Sequence, residues 1–146
     1  MVIFLVCYLG FLYFSDYAKN IPMEQITTSM EAAPSVTALQ KRGRNDLNRY
    51  YQIKDTDTNG YVFYKAVSPM SVDELFIVKA PDKAVAESFL ENAQAHLESQ
   101  KNVFGGYGTD QMALLNEALV GSQGNYVYYF CGADATAWYD AFLSLI

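Results

Sequence analysis

The first fourteen residues, MVIFLVCYLGFLYF, contain no charged side chain. As a helix this run would extend roughly 21 Å, at about 1.5 Å per residue. A full membrane span needs about 30 Å. Tyr13 and Tyr17 suit a membrane interface, and Asp16 and Lys19 mark the return to water. We therefore predict that residues 1–17 are a hydrophobic helix that serves as a membrane anchor or signal segment.

Three interpretations of this segment stay open. An uncleaved anchor would hold the chain in a membrane through hydrophobicity. A signal peptide fits the length, although the basic start and an A-x-A-like cleavage site are missing. A lipoprotein leader would use Cys7, but Val6 stands where a small residue is expected. The anchor and the lipoprotein leader place the rest of the chain at a cell membrane on the extracytoplasmic side, whereas a signal peptide would export it. A buried core helix is a remaining alternative.

Composition limits the kind of protein that follows this segment. The chain has 146 residues, 51% of them hydrophobic, which is enough for one domain with its own core. Its net charge of −6 repels a phosphate backbone, so we expect no nucleic acid as a partner. The two cysteines, Cys7 and Cys131, are too few for a disulfide-rich scaffold.

Hydrophobic periodicity predicts a single domain over residues 23–146, of the α+β class. Runs rich in β-branched and aromatic residues predict three strands, which we expect to form a small, mostly antiparallel sheet. The predicted strands are 61–67, 74–80 and 125–131. The predicted helices are 23–33, 46–51, 82–104, 111–120 and a last one that begins after Asp134. Residues 35–44 are predicted to be a linker that ends in a basic cluster.

The longest predicted helix carries a clear apolar face and a polar face. Asp82 is the expected N-cap, and Gly105-Gly106 the expected end. His96 is predicted to be a surface or boundary residue. One shared core is expected to bury Leu75, Ile77, Phe89, Leu97, Trp138 and Phe142.

One local motif resembles a calcium-binding loop. Asp55, Asp57 and Asn59 stand at loop positions 1, 3 and 5, and Gly60 stands at position 6. Position 12 is Ala66 instead of the bidentate Glu, and a strand follows instead of a helix. We predict a turn that needs positive φ at Gly60, and the alternative is a weak calcium site.

The other chemical motifs are incomplete. His96 is the only histidine, so a zinc site or a classical triad lacks partners. Cys131 has aromatic and acidic neighbours, which favour a buried, unreactive thiol. Gly105-Gly106-x-Gly108 lacks the Lys-Ser/Thr of a phosphate loop. We therefore assign no catalytic, metal-binding or cofactor-binding residue, and expect no cofactor.

The aromatic residues suggest a surface for binding. Tyr126, Tyr128 and Phe130 share one face of the third predicted strand. If that face is open, it offers an aromatic platform for a glycan or another envelope protein. If helices cover it, the same rings are core.

Several of these stretches together resemble a known bacterial family, domain of unknown function 4358. They include the strand from Gly60 to Tyr64, the stretch from Met70 to Lys79, and the motif Gly124-Asn-Tyr-Val127. The long acidic helix and the closing Asp134…Trp138…Phe142 pattern complete the similarity. The resemblance implies an extracytoplasmic protein with a lipoprotein or membrane-anchor leader. It implies no activity, ligand or functional residue.

The function that fits these observations is a non-enzymatic, membrane-tethered binding or interaction module. An assembly subunit of a membrane complex is an alternative, in which the leader itself pairs with another chain. A cell-envelope hydrolase is a further alternative. It would need Asp73 or Glu74 to converge with an acid from a neighbouring element.

Overall fold

A computed structural model of the chain describes residues 2–7, 18–106 and 108–146. Residues 2–7 are helical (α1), and their apolar side chains are exposed. The rest of the predicted anchor, residues 8–17, lies outside the described residues. Within the described ranges, no helix is both long enough and apolar enough to cross a membrane.

Helices and short strands then alternate along the chain. The further helices are α2 (Met23–Glu31), α3 (Pro34–Thr37), α4 (Arg44–Tyr51), α5 (Lys83–Phe104), α6 (Thr109–Asn116) and α7 (Ala135–Leu145). The strands are β1 (Gln40–Lys41), β2 (Tyr61–Lys65), β3 (Glu74–Lys79), β4 (Leu119–Gln123) and β5 (Tyr126–Cys131). A single 3₁₀ turn covers Asp55–Asp57.

The strands form one antiparallel sheet in the order β1-β2-β3-β5-β4. The α+β class is confirmed, but the prediction of a three-stranded sheet is wrong because the sheet has five strands. β1 falls within the predicted linker and pairs Gln40 with Lys65. β4 replaces the end of the helix predicted over 111–120.

Helices cover both faces of the sheet, so two hydrophobic cores form instead of one. Phe63 and Phe76 face α4 and α5, and Phe89 packs against them from α5. Leu75 and Ile77 point to the opposite face, where α2 and α7 lie. The prediction of one shared core is therefore wrong. Phe89 and the partly buried Leu97 belong to the first core, whereas Trp138 and Phe142 belong to the second.

The ends of the long helix α5 follow the sequence closely. Asp82 is the N-cap, and its Oδ1 accepts a hydrogen bond from the backbone N–H of Val85 at 2.9 Å. Gly105 ends the helix, and Gly106 has a φ of 109°. Both predictions are confirmed.

The chain segment that follows the predicted leader is bound to one end of the sheet. The Tyr126 hydroxyl accepts from the N–H of Ile21 and lies 3.0 Å from the carbonyl oxygens of Lys19 and Ile21. Lys79 Nζ donates to the same Ile21 carbonyl at 2.9 Å. We call Tyr126 and Lys79 the leader clamp, because they fasten residues 19–21 to β5 and β3.

Candidate functional site

A charged cluster lies inside the core on the α5 side of the sheet. Its centre is the Glu74 carboxylate, at the start of β3 and fully buried. Glu74 Oε1 accepts from Lys65 Nζ at 3.1 Å and lies 3.0 Å from His96 Nε2. Glu74 Oε2 accepts from the Tyr51 hydroxyl. Four elements therefore meet at one carboxylate.

Sheet register and helix periodicity explain why these residues meet. Lys65 is the cross-strand partner of Glu74 between β2 and β3, which places the opposite charges side by side. On α5 the buried residues recur at spacings of three, four and eight, which keep them on one face, and His96 is one of them: Ala86, Phe89, Ala93, His96 and Phe104. His96 is 6% exposed and therefore buried, so the prediction of a surface or boundary residue is wrong.

The cluster keeps Glu74 ionised. Burial alone would raise the pKa of Glu74, because it penalises the charged form. The charge and hydrogen bond of His96, the charge of Lys65 and the hydrogen bond from Tyr51 outweigh that effect, so the pKa lies below its usual value. The carboxylate is thus stabilised by its partners instead of being poised as an acid.

Two tyrosines and one cysteine near Glu74 are held in their neutral forms. Burial, reinforced by the Glu74 charge, raises the pKa of both Tyr51 and Tyr129 far above the usual tyrosine range. The Tyr129 ring lies 5.2 Å from that of His96, yet its buried hydroxyl has no hydrogen-bond partner within the described ranges. Burial likewise raises the pKa of the Cys131 thiol to about 12.

Two surface clefts reach the cluster from either side of Tyr50. The first has a volume of about 310 Å³ and is lined by Arg49, Asn92, His96 and Gln100 among others. The second has a volume of about 190 Å³, and Arg42 and Lys65 line it together with Gln100. Tyr50 belongs to both linings, and its ring lies 5.1 Å from Lys65 Nζ and 5.9 Å from the His96 ring. Tyr50 therefore separates two openings that lead to two partners of the same carboxylate.

A hydrolase would need Asp73 or Glu74 to converge with a second acid, and the two residues lie in different surroundings. Glu74 is buried, and both of its oxygens already accept hydrogen bonds. Asp73 does have an acidic neighbour on another element. Burial, and then the charge of Asp134, raise the pKa of Asp73. Neither Asp73 nor Asp134 lines the two clefts beside Tyr50.

The calcium-like motif forms a compact turn. Asp55–Asp57 is the 3₁₀ turn, and Thr58 Oγ1 donates to the Asp55 carbonyl at 2.8 Å. Gly60 has the positive φ that was predicted, 109°. Its missing side chain also matters, since a Cβ there would lie 2.7 Å from Met23 Cβ. Over the described ranges, no group of three or more potential ligand residues could hold a metal ion.

Two further sequence predictions concern glycine and cysteine. Gly105 ends α5, as predicted, and Gly108 immediately precedes α6. Cys131 is a buried thiol, as predicted, and its Sγ lies 3.6 Å from the Leu114 carbonyl oxygen. Cys7 is exposed, and both cysteines are free thiols.

The proposed aromatic platform is core. Tyr126 and Phe130 are buried, and Tyr128 is partly buried in the same cluster. α7 covers this face, where the Phe142 ring packs edge-on against Tyr126 and Tyr128. An open sheet face for binding is therefore excluded at β5. The clefts beside Tyr50 are the better candidate site.

Sequence reasoning missed most residues of this site. Arg42 falls in the predicted linker, Lys65 in a predicted strand and Tyr50 in a predicted helix, and no sequence motif joins them. The available signals were a polar Glu at the start of an otherwise apolar strand and a histidine in the buried 3–4 spacing of α5. Together these two features indicate a buried ion pair between Glu74 and His96.

A five-stranded antiparallel sheet covered by helices on both faces, with an ion cluster under one layer, defines a small α+β domain. The chain belongs to the family described as Domain of unknown function (DUF4358), whose sequence model matches residues 32–132. No curated protein and no solved structure is significantly similar to it.

The matched residues contain the whole sheet and the ion cluster. Helices α2 and α7 lie outside the match, on its two sides, and they contact each other over the second sheet face. The Trp138 indole Nε1 donates to Ser35 Oγ at 2.9 Å, which ties α7 to α3. The helices that flank the matched residues, α2 and α7, therefore cover the second face of the sheet together.

Proposed function

We propose that the protein is a non-enzymatic binding module, tethered to a membrane through its N-terminal segment and displayed on the extracytoplasmic side. The observation that carries the proposal is the leader. Five consecutive apolar side chains, from Val2 to Val6, are each 57–82% exposed. Such a patch is costly in water and stable in lipid.

The leader clamp supports the tether. A flexible linker would let the domain drift from its anchor, but residues 19–21 are hydrogen-bonded to Tyr126 and Lys79. Ala18 also packs close to Gly124, where an added Cβ would lie 2.8 Å from the Ala18 Cβ. Residues 18–21, the first described residues after the proposed tether, are therefore held in place on the domain.

The cluster supports binding over catalysis. Each Glu74 oxygen already accepts a hydrogen bond, and the pKa of the carboxyl lies below its usual value. A general acid or base needs the opposite, a pKa near the working pH and a free oxygen. The cluster instead fixes Lys65, His96 and Tyr51 under the clefts, as a rigid floor for recognition.

Vesicle flotation tests the tether. The full chain, transferred from detergent into phospholipid vesicles, should float with them and stay bound in about 1 M salt, because screening does not weaken hydrophobic binding. Phe4→Asp should lower the floated fraction strongly, since a carboxylate in hydrocarbon costs about 2.5–3.5 kcal/mol. Val67→Asp is the matched control, because Val67 is 71% exposed but lies after β2. Equal flotation of the two variants would contradict the proposal.

Labelling in intact cells tests the side of the membrane. Glu87 is exposed on α5, so Glu87→Cys in a Cys7→Ser background offers one accessible thiol. A membrane-impermeant maleimide should label it in unbroken cells if the domain is extracytoplasmic. Labelling that requires lysis would place the domain on the other side.

A further inference from the structure

The smaller cleft beside Tyr50 brings two cationic side chains together from different elements. Arg42 follows β1, and its backbone N–H donates to the Phe63 carbonyl at 2.8 Å, which fixes its position beside β2. Lys65 ends β2 and is only 9% exposed. The hydroxyl residues Ser68 and Ser71 and the amide of Gln100 complete the polar part of the lining.

Both cations keep hydrogen-bond donors that the described residues do not use. Arg42 Nε is buried and has no partner among them, while Nη1 lies 3.5 Å from Asp46 Oδ2. The Lys65 ammonium has three N–H groups, and Glu74 is its one hydrogen-bond partner in the described part of the chain. A buried donor without an acceptor costs about 1–3 kcal/mol, so this cleft favours an acceptor group.

The local charge sets the kind of acceptor. Arg42, Arg49 and Lys65 are cationic around Tyr50, and the Arg49 guanidinium carbon lies 5.3 Å from the Tyr50 ring centre. Asp46 and Glu74 balance two of these charges through ion pairs. Three positive and two negative side chains leave one positive charge among these groups, which matches a monoanion better than a dianion.

The polarity of the larger cleft indicates what the remainder of the ligand, beyond its anionic group, should be. The larger cleft shares Tyr50, Gln100 and Val103 with the smaller one. Asn92 and Ser99 add an amide and a hydroxyl there, and the Tyr50 ring offers a flat apolar surface between the two. This combination suits a body that is rich in hydroxyl groups.

We infer that the two clefts form one binding site for a small hydroxylated carboxylic acid, such as a sugar acid. The carboxylate binds Arg42 and Lys65, and the hydroxylated body passes Tyr50 toward Asn92 and Ser99. Glu74, His96 and Tyr51 hold the floor of this site without touching the ligand. The inference deepens the binding role proposed above and rests on it, but not on membrane attachment.

Calorimetric titration of the full chain in detergent tests the site. Sodium glucuronate is the probe, glucose is the neutral counterpart, and inorganic phosphate tests for a dianion. Arg42→Gln removes the unpaired donor, and Arg44→Gln is its matched control because Arg44 is exposed and does not line either cleft. Thermal melts of both variants show whether each remains folded.

Glucuronate should give saturable heat, and glucose should bind at least about tenfold more weakly, as expected for the loss of one charge-assisted hydrogen bond. Arg42→Gln should weaken glucuronate binding by about tenfold or more, whereas Arg44→Gln should stay within about twofold. No saturable heat, equal binding of glucose, tighter binding of phosphate, or equal effects of the two variants would each overturn the site. Flotation is measured separately, so a failed tether and a failed site are distinguishable.

Discussion

His96 Nε2 lies 3.0 Å from Glu74 Oε1, although 22 residues separate the two along the chain. This contact joins the middle of α5 to the first residue of β3 inside the core. Lys65 and Tyr51 add contacts from β2 and α4 to the same carboxylate. A single side chain therefore organises the layer of the domain that carries the candidate site.

We expect Glu74→Gln to destabilise the domain by about 3–5 kcal/mol, because it leaves the Lys65 ammonium buried without a counter-charge. The measurement is urea unfolding of the full chain, followed by tryptophan fluorescence. Lys65→Met/Glu74→Gln should be less destabilised than Glu74→Gln alone, since no unpaired ammonium remains.

Glu87→Gln is the matched control for this prediction. It makes the same change on the exposed face of α5 and should alter the free energy of unfolding by less than about 0.5 kcal/mol. Similar losses in Glu74→Gln and Glu87→Gln would show that the buried cluster contributes little to stability.

The lowered pKa of Glu74 predicts a loss of stability in acid. Burial raises this pKa, but the contacts with His96, Lys65 and Tyr51 more than compensate, so the folded value lies below the ordinary 4.5. The stabilisation is fully present above the unfolded pKa and is lost as the pH falls through the folded pKa. The melting temperature should therefore drop below about pH 4.5 more steeply for the wild type than for Glu74→Gln. Parallel curves would contradict this assignment.

Tyr126 and Tyr129 lie on the same strand and test the leader clamp. The Tyr126 hydroxyl bonds to backbone groups of residues 19–21, whereas the buried Tyr129 hydroxyl has no partner within the described ranges. Tyr126→Phe should cost about 1–3 kcal/mol and speed amide exchange at Ile21, because that N–H loses one of its two acceptors and keeps only the Lys19 carbonyl. Tyr129→Phe should be neutral or stabilising.

Comparing these two variants isolates the contribution of the Tyr126 hydroxyl, since both variants remove one oxygen from a buried ring of β5. Unchanged exchange at Ile21 in Tyr126→Phe would mean that the clamp does not hold the segment.

The buried Cys131 thiol should react slowly with iodoacetamide. Its pKa of about 12 makes the thiolate at pH 8 rarer than in a free cysteine by on the order of a thousandfold. Mass spectrometry of the Cys7→Ser variant in detergent would measure the rate, and the same variant in urea supplies the unfolded reference. Equal rates in the two solutions would contradict the buried assignment.

The sequence predicted the elements that carry strong local signals. β3 is a nearly continuous apolar run, and α5 has an N-cap, a long periodic face and a glycine end. The helix predicted over 111–120 overlaps β4, because a glycine such as Gly121 is typical of a helix end. In the sheet Gly121 lies opposite Tyr128, and a Cβ there would be 2.5 Å from the Tyr128 hydroxyl oxygen, so this glycine serves a cross-strand approach.

The site was harder to predict than the fold, because its residues depend on tertiary partners. His96 is polar, and periodicity alone cannot show that a carboxylate lies beneath it. β1 has two residues, too few for a strand signal, and it forms only because the edge of β2 is available. Arg42 acquires its place beside Lys65 through that pairing.

β3 carries Glu74 at its first residue and Lys79 of the leader clamp at its last. Five residue steps at about 3.4 Å each separate them by roughly 17 Å. The strand thus acts as a rigid spacer, with the attachment point at one pole of the domain and the clefts at the other. Under the tether proposed above, a small acid would meet the protein at the end of β3 that lies away from the attachment point.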